Sequence, residues 1–424
     1  MSNALLARLL GPANYGYFAV ISSVSIVAGF VATLGVNRAL LKYIALHSVR
    51  RSINELALRQ RLAVHVLRVS LPAVGIVTAV VLVDVVGFRG TPRLALTVAV
   101  AALVALSGLQ LVMADALRGH RHRVAAAFLE GQSGGAISFV ALTVVLLPFV
   151  GHRIGLTTAT ALNVLAYALV LPIWWRFLRR RWRRVSREGR RAQRLERRRP
   201  PDQRQPWERS FLVLALTLMG TQITTFAASQ ADLWVVGATV PATDLSLFSA
   251  AFKLITVIGM PLYAARLALT PSVVALYSSG RIGELQSVTR RAASVAMIPA
   301  LLSLALIVAE PRDLMTWIFG AGYAGGSQVL VWLTIGQAVN GLTGICGVVL
   351  AMTGYQRDAL VIGLAAVAVK LAIGVPVALS SGIVAYAAVT SITTAAMNVA
   401  YLLFVRLRIG IWTFPSLRLG RMSA

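Results

Sequence analysis

The stretch "ALLARLLGPANYGYFAV", residues 4–20, decides how the rest of the chain is read. An apolar run reaches Leu10, stops at Gly11-Pro12 and resumes at Tyr15. Glycine admits a non-helical backbone and proline removes a backbone donor, so the Gly11-Pro12 pair reads as the junction of two helices. The same apolar texture fills the whole chain. Hydrophobic residues make up 58% of the 424 residues and charged ones 13%, with a mean hydropathy of +0.76. A soluble domain is roughly half apolar and about a quarter charged. Uncharged stretches recur that reach the ~20 residues needed to cross a bilayer core as a helix. They are continuously apolar and do not alternate, which excludes a membrane β-barrel. The fold class is all-α: a polytopic transmembrane helical bundle.

Eleven full spans are expected, at about 15–36, 67–87, 94–116, 124–149, 155–177, 211–238, 246–276, 291–309, 327–352, 358–378 and 383–405, after a stub at about 2–10. Arginines and lysines sort sharply among the connections. One set of loops holds 33 of them, fifteen between Arg176 and Arg209 alone. The opposite set holds only Arg89, Arg93, Arg153 and Arg312. Cytoplasmic loops carry the basic excess, so the spacing places both termini and the segment 178–210 in the cytoplasm, with the chain in the cytoplasmic membrane. That segment, "RRRWRRVSREGRRAQRLERRRPPDQRQPWERS" over 179–210, reads as an unstructured basic linker. Its arginines suit anionic membrane lipids, each adding about 1 kcal/mol near the surface. No aromatic stacking pattern accompanies the net charge of +27, so nucleic acid is not the expected partner.

The two halves of the chain resemble each other. "GPANYGYFAVISSVSIVAG" (11–29) aligns with "VPATDLSLFSAAFKLITVIG" (240–259): Pro12 meets Pro241, Phe18 meets Phe248, Gly29 meets Gly259. Glu55-Leu56 meets Glu284-Leu285, Pro72-Ala73 meets Pro299-Ala300, and "LRGHRHR" (117–123) meets "MTGYQRD" (352–358). This is a direct repeat of six helices, and units with an even number of spans keep one orientation. The expected organisation is an N-terminal lobe over 1–177, the basic linker 178–210, a C-terminal lobe over 211–405 and a cytoplasmic tail over 406–424. A full helix precedes Pro241 where only nine or so residues precede Pro12. The stub is therefore expected to be the end of a helix whose start is missing, through a late start codon or truncation.

The residues "LLARLLGPANYGYFAV…LGVNRALLKYIA", with "QADLWVVG", "LFSAAFKL", "LTPSVVALYSSG", "FGAGYAGGSQVLVWL" and "LAMTGYQRDALV" in the second half, resemble the polysaccharide (O-antigen type) flippases. That family belongs to the superfamily of multidrug and toxin extrusion transporters and the lipid-linked peptidoglycan precursor flippase. The resemblance implies two six-helix lobes around a V-shaped cavity and alternating access. It implies transport of polyprenyl-diphosphate-linked oligosaccharide for cell-surface polysaccharide synthesis. Glycosyltransferases or a polymerase of the same pathway are the implied partners. The alternative is a cation-coupled multidrug exporter of the same superfamily.

Ionisable groups at membrane depth are costly and mark function. Lys370 lies some twelve residues into its span, roughly 18 Å at ~1.5 Å per residue. Lys253 and Arg266 share another span, thirteen residues apart, with Pro261 between them. Arg38 and Lys42 fall four apart near the inner end of the first full span, and under the repeat Arg38 and Arg266 are nearly equivalent. Cations suit a diphosphate, so Lys370, Lys253, Arg266, Arg38 and Lys42 are the candidate substrate-binding residues. Asp232 is the candidate for coupling or for an ion pair, first of all with Lys370. Asp115 and Glu130 are placed to pair with Arg38 or Lys42. No cofactor or metal is expected: the histidines form no ligand spacing, and Cys346 is the single cysteine. "GAGYAGG" (320–326) holds a G-x-G-x-x-G pattern but follows an apolar helix and no βαβ strand, so it reads as a loop turn. With no phosphate-binding loop and no long outer loop for catalytic acids, the chain is not expected to be an enzyme.

The charge asymmetry yields a topology test. Single cysteines introduced at positions 195 and 418 in a Cys346→Ser background stay unlabelled by a membrane-impermeant thiol reagent added to intact cells. Labelling of either one reverses the orientation.

Overall fold

The computed structural model describes residues 2–50, 53–85, 93–120, 136–197 and 207–415, together with His122, Ala126, Phe128 and Leu129. Among the described residues every regular element is helical. In hydrocarbon a strand edge would leave donors and acceptors open, whereas a helix closes its own.

The chain packs as two units, Met1–Ala231 and Asp232–Ala424. In the first, α1 (Ser2–Ala32), α2 (Val36–Arg50), α3 (Ile53–Val85), α4 (Arg93–Gly119), α5 (Ala136–Leu146) and α6 (Leu156–Arg197) are joined by most of α7 (Trp207–Thr239). Helix α3 packs on α4 and α6, and α1 and α2 both pack on α4. In the second unit the end of α7 is followed by α8 (Ala242–Ile258), α9 (Met260–Ser278), α10 (Ile282–Ala309), α11 (Pro311–Phe319), α12 (Ser327–Thr343), α13 (Cys346–Met352) and α14 (Gln356–Ile409). There α12 packs on α8, α10 and α14.

Many helices turn apolar side chains outward. Val69, Ile76, Val77, Val80 and Val81 of α3 are exposed, as are Val295, Ile298 and Leu302 of α10 and Leu360, Val361 and Leu364 of α14. A face this apolar needs an apolar solvent. By length and composition, five helices among the described residues can cross a membrane, or up to seven if each of two bent pairs is one span. The sequence count of eleven is higher for physical reasons. Helix α14 contains two expected spans, 358–378 and 383–405, which part at Gly382 (φ 74°, ψ −170°). The apolar stretches Val140–Phe149 and Phe211–Gly220 are shorter than a span over the described residues.

The breaks are set by glycine and proline. Gly11 (φ 68°, ψ 171°) interrupts α1 where the sequence places the stop, and Pro12 follows it. The span expected at 15–36 ends at Ala32. Leu34 (φ 48°) and Gly35 (φ 70°) then turn the chain into α2. The stretch expected as one span at 246–276 is two helices, bent by 46° at Gly259 with proline in the first turn of α9. The stretch 327–352 is likewise bent by 50° between α12 and α13.

Two further expectations are corrected. The basic segment from residue 178 is not unstructured throughout: α6 continues as helix to Arg197. Arginine, glutamate, glutamine, leucine and alanine are strong helix formers, and no proline intervenes before Pro200. Its 42 residues extend ~63 Å at 1.5 Å per residue, about twice the hydrocarbon thickness. The tail expected from residue 406 begins as helix and then docks. Ile411 enters the core beside Leu285, Ile345, Cys346 and Val349. The Trp412 N–H donates to Gln286 Oε1 (3.1 Å), and the Thr413 hydroxyl donates to the Thr343 carbonyl (2.9 Å), an end group of α12 that has no partner within its own helix. Residues 198–206 of the basic segment, 416–424 of the tail, and Glu130 lie outside the described residues.

Two glycines separate steric demand from backbone demand. A Cβ at Gly35 would sit 1.8 Å from the Ala215 carbonyl oxygen, whereas at Gly354 (φ 95°) it would meet nothing within 4 Å. Left-handed backbone costs an alanine about 1–2 kcal/mol. Gly354→Ala is expected to lower the melting temperature of the purified protein modestly, and Gly35→Ala to abolish its accumulation in membranes. Equal effects would refute the steric reading.

Candidate functional site

The first unit gathers its polar side chains where α2, α4 and α7 meet. Asp115 of α4 is 3% exposed at its side chain. It accepts hydrogen bonds from Asn37 Nδ2 (2.8 Å) and from Arg118 (3.0 Å), and its Oδ2 lies 3.5 Å from Arg38 Nε. Gln222 of α7 closes the cluster: its Oε1 accepts from Asn37 Nδ2 (3.1 Å) and Arg38 Nε (3.3 Å). Thr33, in the turn before α2, donates to Asn37 Oδ1 (3.0 Å). The turn at Gly35 puts Asn37 and Arg38 on the first turn of α2, facing this acid. Arg38 thus has the partner proposed for it, with a third of its side chain still exposed. Lys42, four residues on, is exposed and takes no part in the cluster.

The second unit holds two arrangements. At the end of α7, the Asp232 carboxylate binds the Lys370 ammonium through Oδ1 (2.9 Å) and Oδ2 (3.0 Å). Tyr386 (2.9 Å) and Thr390 (3.2 Å) donate their hydroxyls to the same Oδ1. Residues 386 and 390 are four apart and share a helix face. All four residues are buried. A buried carboxylate is tolerated only when it is both charge-paired and hydrogen-bonded, and Asp232 meets both conditions.

The other arrangement flanks the α8–α9 bend. Arg266 donates to Asn340 Oδ1 of α12 (2.7 Å), and Asn340 donates to Gln337 Oε1 (3.3 Å). Gln337 reaches the bend itself, since a Cβ at Gly259 would lie 2.6 Å from its Nε2. Arg266 has no acidic partner among the described residues, and its Nε is buried without a hydrogen bond there. Lys253 of α8 is half-buried, with no hydrogen bond or ion pair among the described residues. The structure therefore treats the three deep cations differently. Lys370 is paired with an acid, while Arg266 and Lys253 have no acidic partner among the described residues. No hydrogen bond or ion pair among the described residues links Lys370 to either of them.

Sequence reasoning missed the neutral partners: Asn37, Gln222, Gln337, Asn340, Tyr386 and Thr390. Their signal was available. An amide inside an apolar helix needs a partner across the interface, and the Gln337/Asn340 pair on one face of α12 is such a case.

Helices with outward apolar faces, broken at glycines and holding charges inside, define a multi-pass helical membrane protein. The family model for polysaccharide biosynthesis proteins matches residues 2–276, and the chain belongs to that family. No curated protein is similar enough in sequence to match. Among solved structures, the fold is similar to the lipid II flippase MurJ in an inward closed conformation, with a TM-score of 0.65 at 12% identity over 96% of this chain and 84% of that one. It is also similar to an outward-facing multidrug resistance MATE family transporter of the MOP superfamily, with a TM-score of 0.62 at 14% identity over 96% and 91%. A third relative is a MOP superfamily transporter from Pyrococcus furiosus with a binding pocket of reversed polarity, with a TM-score of 0.58 at 15% identity over 96% and 91%. The chain shares the fold of these proteins.

Removing the acid from a fully buried pair costs about 3–5 kcal/mol, and the cost here is smaller because the Arg38 and Arg118 side chains are 33% and 28% exposed. Asp115→Ala leaves Arg38 and Arg118 facing each other without their acid. It is expected to lower membrane abundance, with partial recovery in Asp115→Ala/Arg38→Met. Immunoblotting of membranes measures both, and full abundance of Asp115→Ala would show that the cluster is dispensable.

Proposed function

We propose that this protein moves a polyprenyl-diphosphate-linked oligosaccharide across the cytoplasmic membrane for cell-surface polysaccharide synthesis, by alternating access and without catalysing a reaction. The observation that carries the reading is the unmatched charge of Arg266 and Lys253 in the interior of the second unit. A guanidinium held by one amide keeps further donors available, and phosphate oxygens are its natural partners. The family's tie to polysaccharide biosynthesis and the likeness in fold to a lipid II flippase support the same class of substrate. Arg38 is the first unit's own candidate cation, and a third of its side chain is exposed. Lys42 contributes charge at the surface. Lys370 is excluded from the diphosphate site in this reading, because Asp232 already satisfies it.

The export of cationic drugs is the weaker reading. It asks for an available interior carboxylate, and the two buried acids among the described residues, Asp115 and Asp232, are committed to cations of this chain. The proposal also includes the orientation with both termini cytoplasmic, the two lobes as a direct repeat, and contact of the arginines at 179–210 with anionic lipids. Glycosyltransferases or a polymerase would supply and receive the substrate.

The test is surface glycan measured together with membrane abundance in cells that depend on this gene. A charged hydrogen bond is worth about 1.5–3 kcal/mol, so Arg266→Ala is expected to cut export by one to two orders of magnitude at unchanged abundance. Arg266→Lys keeps part of it, and Lys253→Ala lowers it further in combination. Undiminished export by Arg266→Ala/Lys253→Ala at normal abundance would remove the site.

A further inference from the structure

The α12–α13 bend and the Arg266 site share one short stretch of helix. Gly344 (φ 76°, ψ −135°) ends α12. The carbonyls of a helix's last turn have no partner within the helix. One of them, that of Thr343, accepts the hydroxyl of Thr413 (2.9 Å), and both Thr413 and Ile411 are buried. The backbone of the same segment stands hard against the bend. A Cβ at Gly344 would lie 2.8 Å from the Thr413 carbonyl oxygen and 2.9 Å from Ala293 Cβ of α10. The segment is held to α10 as well, where Gln286 Oε1 accepts from the Trp412 N–H (3.1 Å) and Arg290 lies over the Phe414 ring at 4.9 Å. After α14 ends at Gly410, residues 411–414 thus wedge between α10 and the end of α12.

The wedge bears on Arg266 through the last two turns of α12. The Thr343 hydroxyl donates to the carbonyls of Val339 and Asn340 (both 3.1 Å). The residue gripped by Thr413 is therefore bound in turn to Asn340. Asn340 is under two constraints. Its Nδ2 donates to Gln337 Oε1 (3.3 Å), which turns its Oδ1 toward Arg266 (2.7 Å). Its position along α12 is set by the turn that Thr413 caps. We propose that residues 411–413 are a positioning strap for Arg266: by fixing the last turn of α12 they fix Asn340, and with it the direction in which the guanidinium receives a diphosphate. A binding group whose supporting residues are loose loses affinity even with its charge intact. The inference rests on the reading of Arg266 as a diphosphate-binding cation, and it adds the residues outside the site that aim it. Thr413 and Gln286 are positioning residues in this account and touch no substrate.

The experiment measures binding of farnesyl diphosphate to the purified full-length protein in detergent by calorimetry, with farnesol as the diphosphate-free control and a thermal melt of each variant. Arg266→Ala is expected to bind farnesyl diphosphate about tenfold more weakly or worse, through loss of a charged hydrogen bond. Thr413→Val is expected to weaken it about fivefold, as one neutral hydrogen bond is lost, and Thr413→Ser to restore it. Farnesol binding stays as in the native protein. Because the strap acts through the guanidinium, Thr413→Val/Arg266→Ala binds no more weakly than Arg266→Ala alone. Gln286→Leu frees the strap from α10 without touching α12 and is expected to repeat this pattern. Native affinity in both Thr413→Val and Gln286→Leu, with Arg266→Ala impaired, overturns the strap and leaves the site standing. Losses that add in the double variant, or that farnesol shares, also overturn it, since they mean general loosening. Failure of both strap variants to fold makes the segment a stability element alone and overturns the proposal too. Native affinity in Arg266→Ala, or no preference of the native protein for farnesyl diphosphate over farnesol, removes the reading of the site and the strap with it.

Discussion

Each backbone amide left open in hydrocarbon costs several kcal/mol, and the architecture follows from that constraint. The chain answers it with helices and concentrates its departures at a few residues. Gly11, Gly35, Gly344 and Gly382 have positive φ, and Gly259 ends α8 at a bend with helical dihedrals of its own. At two of these points the bonds that close the turn are evident. The turn after α1 is closed by Val36 N–H to the Thr33 carbonyl (2.9 Å). The end of α12 is closed by Thr413, a residue far along the chain that returns to accept this duty. The docked segment after Gly410 therefore belongs to the second unit's core and stabilises the α12–α13 bend.

The same scarcity of water governs the charges. A buried ion pair stabilises little, because desolvation offsets much of the Coulombic gain. What the Asp115 and Asp232 clusters supply is specificity: each acid accepts only when three elements are in register. In the first unit the elements are α2, α4 and α7. In the second they are α7 and the two arms of α14. A break in α14 at Gly382 is what lets one helix present Lys370 from one arm and Tyr386 from the other to a single carboxylate. The bend at Gly259 acts similarly, setting Lys253 and Arg266 on separate helices with Gln337 wedged at the corner.

Local chemistry made some of this legible in the sequence and left the rest hidden. The Gly11-Pro12 stop could be read directly, because proline's missing donor acts on its own segment. The separation of 358–378 from 383–405 could be read for a related reason: Ser380, Ser381 and Gly382 interrupt the apolar pattern. Asp232 as a partner for Lys370 was within reach, since a deep lysine demands an acid and few acids are deep. The helical continuation of α6 was masked by its charge. A run of arginines looks like solvated coil by composition, although the side chains themselves favour helix. The Gln222 and Asn340 contacts were hidden because they depend on which helices meet, and periodicity carries no record of that.

The unequal treatment of three lysines and arginines of similar depth is the most informative outcome. A rule that counts interior cations assigns Lys370, Lys253 and Arg266 to one anionic ligand. Their surroundings divide them. Lys370 faces a carboxylate with two hydroxyls behind it, and its charge is spent within the protein. Arg266 faces an amide, which orients a guanidinium without neutralising it. An amide partner is the arrangement that holds a cation in place while leaving its charge to act on something else. The difference between the two cations therefore lies in the partner's charge, and on that difference rests the proposal that Arg266, held by Asn340, is directed at a ligand.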